Sequence, residues 1–218
     1  VVIYCRPHIL SFALLNKTMI SFYLIAVMFL VFFLQLIPGF TEAFIFDPAL
    51  ALSQPWRFIT SMFLHGDFTH IFFNMLALLM FGPILESRVG TKKFLMFFFI
   101  GGIVGSLLYY LTIIVGIAPP VPALGASGGI YAILGALAVL TPDLVVYLWF
   151  VPMRMSMAAI VWVILEFLGT FNPYSGIASA AHLGGLIFGW VYAKLFEGGA
   201  ILHTRWPHEE EEEFEFYK

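Results

Sequence analysis

Ser127 stands between glycines in Gly125-Ala126-Ser127-Gly128-Gly129, at the head of a strongly apolar segment. A hydroxyl in such a place has two ordinary uses. It packs helices, which is the commoner role of a small polar residue in an apolar segment, or it attacks a carbonyl. The second use needs a base, because serine is a weak nucleophile until its proton is taken. A neutral histidine, with an ordinary pKa of about 6.5, suits that role. His182 lies in another apolar segment, spaced i, i+3, i+7 with Gly185 and Gly189, so the three share one helix face. His70 and Asn74 share a face at i, i+4, with His65 just upstream. Ring nitrogens and an amide directed into a wet cavity would donate to the oxygen on which charge develops in acyl transfer. Losing one such donor costs about 2.7–4 kcal/mol of transition-state stabilisation. The carboxylates expected on the same side, Glu42, Asp47 and Asp67, all fall in one loop. No acid is expected to complete a triad, so the sequence predicts a Ser127–His182 dyad with the imidazole oriented by packing. Tyr131, one turn after Ser127, is expected to stack on it. Glu166 has no assigned role, and gate-lining and packing both stay open for it.

These groups must be positioned by membrane-embedded elements. Of 218 residues, 61% are hydrophobic and 11% charged, and the mean hydropathy is +0.98. A soluble domain runs about 45–50% apolar and about 25% charged. The net charge of -3 owes most to the acidic end, Glu209 to Glu213, and no broad basic patch argues for nucleic acid. A single cysteine, Cys5, excludes an intrachain disulfide and CxxC metal sites. There is no HExxH and no clustering of histidines with carboxylates, so no metal or other cofactor is expected.

A helix needs about 20 apolar residues to cross a bilayer. Spans are predicted at 19–37, 71–85 (extended at its front by Phe68-Thr69-His70), 94–117, 126–140, 155–171 and 177–196. The apolar run 145–151, between Pro142 and Pro152, is too short to span and is read as an interfacial hairpin or strand. The fold class expected is therefore all-α integral membrane, a six-helix bundle with both termini inside. In that layout Arg6, Lys17, Arg88, Lys92, Lys93, Arg154, Lys194, Arg205 and Lys218 fall on the cytoplasmic side and only Arg57 outside, as the positive-inside rule requires. The organisation predicted is a cytoplasmic segment over 1–17, a membrane domain over 18–197 and an acidic cytoplasmic tail over 198–218. The first span is expected to serve as an uncleaved signal. The outer connections are 38–68, 118–125 and 172–176, the first long, apolar and suited to the membrane interface.

Depth ties the chemistry to the layout. The fourth span is short: from Ser127 to Leu140 it extends about 21 Å. If its inner end reaches the cytoplasmic interface, Ser127 lies about 10 Å below the outer one. The Pro119-Pro120-Val121-Pro122 stretch must then dip into the protein, which is tolerated only where backbone is buried in protein or lines a watery cavity. His182 is five residues into the sixth span, about 7–8 Å deep. Gly185-x-x-x-Gly189 lets another helix approach closely, and the glycine-rich fourth span, with Gly128, Gly129 and Gly135, is the expected partner. Gly101, Gly102 and Gly105 in the third span offer a further small-residue face that a second copy of the chain could use.

Together these residues resemble the rhomboid family of intramembrane serine proteases. The resemblance runs through Trp56-Arg57 in the first loop, His65-x4-His70-x3-Asn74, Glu86-x-Arg88, Gly125-x-Ser127-Gly128 with Tyr131, and Ala181-His182-x-x-Gly185-x-x-x-Gly189. It implies that Ser127 is the nucleophile, His182 the general base, and His70 and Asn74 contributors to the oxyanion hole. It also implies that the fifth span and first outer loop gate the entry of transmembrane-protein substrates from the lipid. A monomer would suffice for catalysis, and the oligomeric state stays open. The expected location is the cell membrane of a prokaryote, with the site opening to the extracytoplasmic side. Two other readings remain: a catalytically silent relative that binds membrane clients, and a small proton-coupled transporter using His70, His182 and Glu166. His70 and Asn74 also have a structural alternative, tying the first loop to the second span.

Overall fold

The computed structural model describes residues 19–148, 150–172 and 177–197. The expected segment 1–17, the acidic tail 198–218 and most of the 172–176 connection lie outside the described residues. The fold is mostly helical: α1 (Ile20–Leu34), two short helices α2 (Phe40–Phe44) and α3 (Arg57–Thr60), α4 (Phe68–Val89), α5 (Thr91–Ile114), α6 (Ser127–Leu140), α7 (Met155–Thr170) and α8 (Ser179–Tyr192). A 3₁₀ turn, Ser61–Phe63, follows α3, and a π-helical turn, Ala193–Glu197, extends α8. Of these, α4 and α5 are long and apolar enough to cross a membrane. The apolar helices α1, α6 and α7 have 15, 14 and 16 residues.

The run after α6 forms an antiparallel hairpin of β1 (Val145–Leu148) and β2 (Val151–Arg154), with Val145 opposite Arg154 and Leu148 opposite Val151. Sequence reasoning ended this element near Pro152. The strand continues through the proline because a two-stranded ribbon has only edges, where a missing N–H is tolerated. The two-residue connection includes Phe150, at φ 67° and almost fully exposed, in the positive-φ backbone that tight hairpin turns require.

The molecule is built around α6. Eleven of its 14 residues are buried, so other elements enclose it on nearly every side. Its contact with α8 is made by glycines. A Cβ on Gly185 would run into the Gly128 carbonyl, one on Gly189 into that of Ala132, and one on Gly135 into that of Leu186. Two backbones this close leave no room for side chains between them. Gly101, Gly102 and Gly105 of α5 are buried in the same way, against Ala132, Met62 and the Ala181 carbonyl respectively. The idea that they form a face for a second copy is therefore overturned: their lack of side chains brings α5 close to α6, α8 and the first loop.

Polar groups secure the ends. The buried Glu86 carboxylate accepts from the backbone N–H groups of Ile20 and Ser21, at 2.9 and 3.0 Å, and from the Thr91 hydroxyl at 2.8 Å. It thus caps α1 from α4, where helix N–H groups have no intrahelical partner and favour an anion. The buried Arg57 donates through Nη1 to the carbonyls of Glu42 and Ile45, at 2.9 and 2.6 Å, and through Nε to Gln54 at 2.6 Å. The first loop is therefore folded on itself. It is joined to the segment before α6 by paired backbone bonds between Phe46 and Ala123, and by the Gly125 N–H donating to the Ser61 carbonyl at 2.9 Å.

The outside is apolar. Phe22, Leu30 and Phe33 of α1, Phe72 and Phe73 of α4, and Ile160, Phe167 and Leu168 of α7 are all exposed. An apolar groove of about 430 Å³ between α5 and α8 belongs to the same surface. Such a surface exceeds what a monomer in water normally carries and suits hydrocarbon as solvent.

Replacing Gly189 by leucine drives a side chain into the Ala132 carbonyl. The expected cost is about 1–3 kcal/mol, as for overpacked cores, or outright misassembly. A lowered thermal midpoint in detergent, against an unchanged midpoint for the exposed-site variant Leu52→Ala, is the check.

Candidate active site

Three helices begin at the same end of the bundle: α4 at Phe68, α6 at Ser127 and α8 at Ser179. Ser127 is the first residue of α6, and His182 is one turn into α8. With the glycine contacts holding α6 and α8 together, Ser127 Oγ lies 2.7 Å from His182 Nε2. That is within hydrogen-bond reach for proton transfer. The ring of Tyr131 lies flat on the imidazole, with centroids 4.4 Å apart and an interplanar angle of 7°. Tyr131 in turn meets Trp162 of α7 edge-on, at 6.4 Å. The imidazole is thus held by a stacked face as well as by its bond to the serine.

Packing is not the whole of that restraint. Glu166 of α7 places Oε1 3.1 Å from His182 Nδ1, both side chains being largely buried. The same oxygen accepts from the Tyr131 hydroxyl at 2.5 Å. The expectation that no acid stands near the imidazole is corrected here. The sequence reading weighs only the first-loop acids for a triad and leaves Glu166, near the outer end of the fifth span, a gate-lining or packing role. Glu166 is four residues before the end of α7, about 6 Å down the helix and so level with His182. Its level was legible; which face of α7 meets α8 was not. The approach is bent away from the ring N–H axis, since Nδ1 lacks a well-aligned hydrogen-bond partner. Hydrogen bonds at such sites commonly tighten only when substrate is bound.

The remaining predicted residues surround the serine without bonding to it. His70 sits over Gly125: a Cβ there, at φ 127°, would lie 2.8 Å from His70 Nε2, so only glycine lets the chain pass under the ring. His70 is held at the start of α4 by Asp67, whose side chain accepts from the His70 backbone N–H at 2.8 Å, an N-cap. The Asn74 amide turns back along its own helix and donates to the His70 carbonyl at 3.0 Å. Gly128 supplies the carbonyl against which Gly185 packs. His65 lies behind His70, ring edge to ring face at 5.2 Å. Its backbone is clasped by Gln35, which donates to its carbonyl and accepts from its N–H. Next to Ser127 is a cavity of about 30 Å³, lined by Ser61, Met62, Gly102, Ser106, Tyr109 and Gly125 among others. It has room for one or two waters.

His65 is only 1% exposed, and neither ring nitrogen has a partner among the described residues. Burial, then the neighbouring His70, push its pKa from 6.5 down to about 4, against a smaller opposing effect of the Phe63 backbone.

A family model described as the Rhomboid domain matches residues 52–198. The chain is 32% identical over 187 residues to "Rhomboid protease GluP" of Bacillus subtilis, covering 82% of this chain and 35% of that protein. It is 32% identical over 154 residues to "Rhomboid protein 1, mitochondrial" of Saccharomyces cerevisiae, covering 64% of this chain and 42% of that one. It is also 29% identical over 135 residues to "Inactive RHOMBOID-like protein 8" of Arabidopsis thaliana, covering 61% and 35%. The chain belongs to the rhomboid family. It spans between 35% and 42% of the length of these relatives, and they include both a named protease and a named inactive protein.

The buried neutral His65 has a consequence for stability. Its folded-state pKa lies below the unfolded value, so its stabilising contribution is fully present above pH 6.5 and is lost as pH falls through 6.5 toward 4. The full loss is about 3 kcal/mol. The thermal midpoint is expected to fall more steeply between about pH 7 and about pH 4 in the wild type than in His65→Leu. Parallel slopes would remove His65 from the explanation.

Proposed function

We propose that this chain is an intramembrane serine endopeptidase that hydrolyses peptide bonds in or near transmembrane segments of other membrane proteins. The observation that carries the reading is the 2.7 Å approach of Ser127 Oγ to His182 Nε2, at the head of a buried helix inside an apolar-surfaced bundle. Six helices, α1, α4, α5, α6, α7 and α8, would span the bilayer. Arg88, Lys92, Lys93, Arg154 and Lys194 lie at the end of the bundle away from Ser127, which by the positive-inside rule supports a site that opens outward.

In the proposed reaction Ser127 Oγ attacks the scissile carbonyl carbon as its proton passes to His182 Nε2. The tetrahedral oxyanion meets the free backbone N–H groups at the head of α6, where a helix N-terminus favours negative charge. His70 and Asn74 are the side-chain donors proposed for it, once the Asn74 amide swings from the His70 carbonyl. His182 then donates its proton to the leaving nitrogen, the C–N bond breaks, and an ester links the acyl group to Ser127. Water, deprotonated by His182, hydrolyses the ester. Substrate would enter from the lipid beside α7, the most exposed of the helices around the site, and unwind locally to reach the serine.

Reconstitution with a single-span substrate tests the reading. Ser127→Ala and His182→Ala are expected to lose cleavage to below roughly one part in 10⁴. Equal cleavage by wild type and Ser127→Ala would sink it. Folded wild type that neither cleaves nor reacts with a serine-directed fluorophosphonate would instead favour a silent client-binding protein, like the relative named inactive. The 30 Å³ cavity beside Ser127 leads to a second expectation: replacing a small residue before the cut site by phenylalanine should lower kcat/KM by at least about tenfold, since overpacking costs about 1–3 kcal/mol. Undiminished cleavage would show that the cavity does not receive that side chain.

A further inference from the structure

The contacts of Glu166 go beyond what helix packing needs. It is the only acidic residue of α7, a helix whose outer face presents Ile160, Ile164, Leu165, Phe167 and Leu168 to the surroundings. An ionisable group in such a helix is costly and generally marks a function. A single oxygen, Oε1, faces two groups from two other helices: the Tyr131 hydroxyl of α6 and His182 Nδ1 of α8. Tyr131 has a double part, stacking its ring on the imidazole while its hydroxyl pins the acid that faces the imidazole edge. Mere satisfaction of that oxygen would have been achieved by Tyr131. The position of Oε1 at the one ring nitrogen that does not face Ser127 is the part that packing leaves unexplained.

We propose that Glu166 is a positioning residue for His182, so that the site works as a Ser127–His182–Glu166 triad with its acid supplied by α7. The inference rests on the protease reading above. An ionised carboxylate 3.1 Å from Nδ1 favours the tautomer with the proton on Nδ1 and accepts a hydrogen bond from it once the approach straightens. That leaves the Nε2 lone pair free to accept the Ser127 proton. When Nε2 takes that proton, the ring carries both N–H groups and a positive charge, and the carboxylate stabilises it without taking a proton itself. When Nε2 gives the proton to the leaving amine, the ring returns to its starting tautomer. Because the acid rides on α7 while serine and histidine ride on α6 and α8, displacing α7 separates the acid from the ring and returning it restores the pair. Full activity would therefore require α7 in place against α8.

The test compares wild type, Glu166→Gln, Glu166→Asp and Tyr131→Phe in liposomes with a single-span substrate, with Ser127→Ala as control and thermal midpoints recorded for each. Glutamine keeps the shape of the side chain but can donate to Nδ1, which favours the wrong tautomer. It is expected to lower kcat by about 10²–10⁴-fold with KM within about threefold. Aspartate should recover part of that loss, and Tyr131→Phe, which keeps the stacked ring but frees the carboxylate, should lose about tenfold. The rate of Ser127 modification by a fluorophosphonate should fall in the same order, independently of any substrate. The proposal is overturned if Glu166→Gln keeps kcat and the modification rate within about threefold of wild type. It is equally overturned if aspartate recovers nothing while its thermal midpoint is unchanged. Should Glu166→Gln fail to fold, Tyr131→Phe and Glu166→Asp decide by the same two rates. Cleavage that survives Ser127→Ala would instead bring down the protease reading, whatever Glu166 does.

Discussion

Backbone-to-backbone contact between α6 and α8 is the constraint on which the rest depends. At Gly185 and Gly189 the α8 chain lies against the carbonyls of Gly128 and Ala132, and at Gly135 the α6 chain lies against that of Leu186. A methyl group at any of these points would separate the helices by more than the slack in a 2.7 Å hydrogen bond. The glycines therefore do more than allow dense packing. They set the distance between two side chains at the adjacent ends of the helices. In hydrocarbon this contact gains little from the hydrophobic effect, and closeness of fit and polar contacts must supply the attraction.

Around that contact the other elements act as supports. The first loop is closed on Arg57 and joined to the chain before α6 by the Phe46–Ala123 and Ser61–Gly125 backbone bonds. The start of α6 is therefore fixed against the first loop. Glu86 ties α1 to α4 at the opposite end. α7, like α1, buries few of its residues. Only three of its residues, Met155, Ala158 and Ala159, are buried, all in its first turns, and its far half meets the bundle through Trp162, Glu166 and Gly169, the last packed on Ser179. The polar contact of Glu166 with Tyr131 and His182 ties α7 to α6 and α8.

Family membership and geometry bear on function in different ways. The rhomboid family includes a relative named inactive as well as one named a protease, so membership alone does not decide activity. What favours activity in this chain is local: a serine at a helix head, a base at 2.7 Å, a carboxylate at the far side of that base and a small cavity beside the serine. The stacked Tyr131 ring removes rotational freedom that the imidazole would otherwise lose on reaching a productive orientation.

Much of this was legible in the sequence, because apolar run length, proline and glycine punctuation and helical spacing are local properties. The elements at 71–85, 126–140 and 155–171 lie within a few residues of α4, α6 and α7, and the hairpin after Pro142 is where a run too short to span should be. The pairing of Ser127 with His182 could be anticipated because equal depth and glycine faces leave few ways to pack two short helices, and Tyr131 follows from the helical turn. The inward direction of Gly101, Gly102 and Gly105 was not legible, since a small-residue face looks the same whether it meets its own chain or another. Nor was the turn of the Asn74 amide onto the His70 carbonyl, one of several bonds open to it. The partnership of Glu166 was hidden for the most general reason. Sequence places a residue along a helix and so at a depth, but the rotation of α7 about its own axis is decided only by what α6 and α8 present to it.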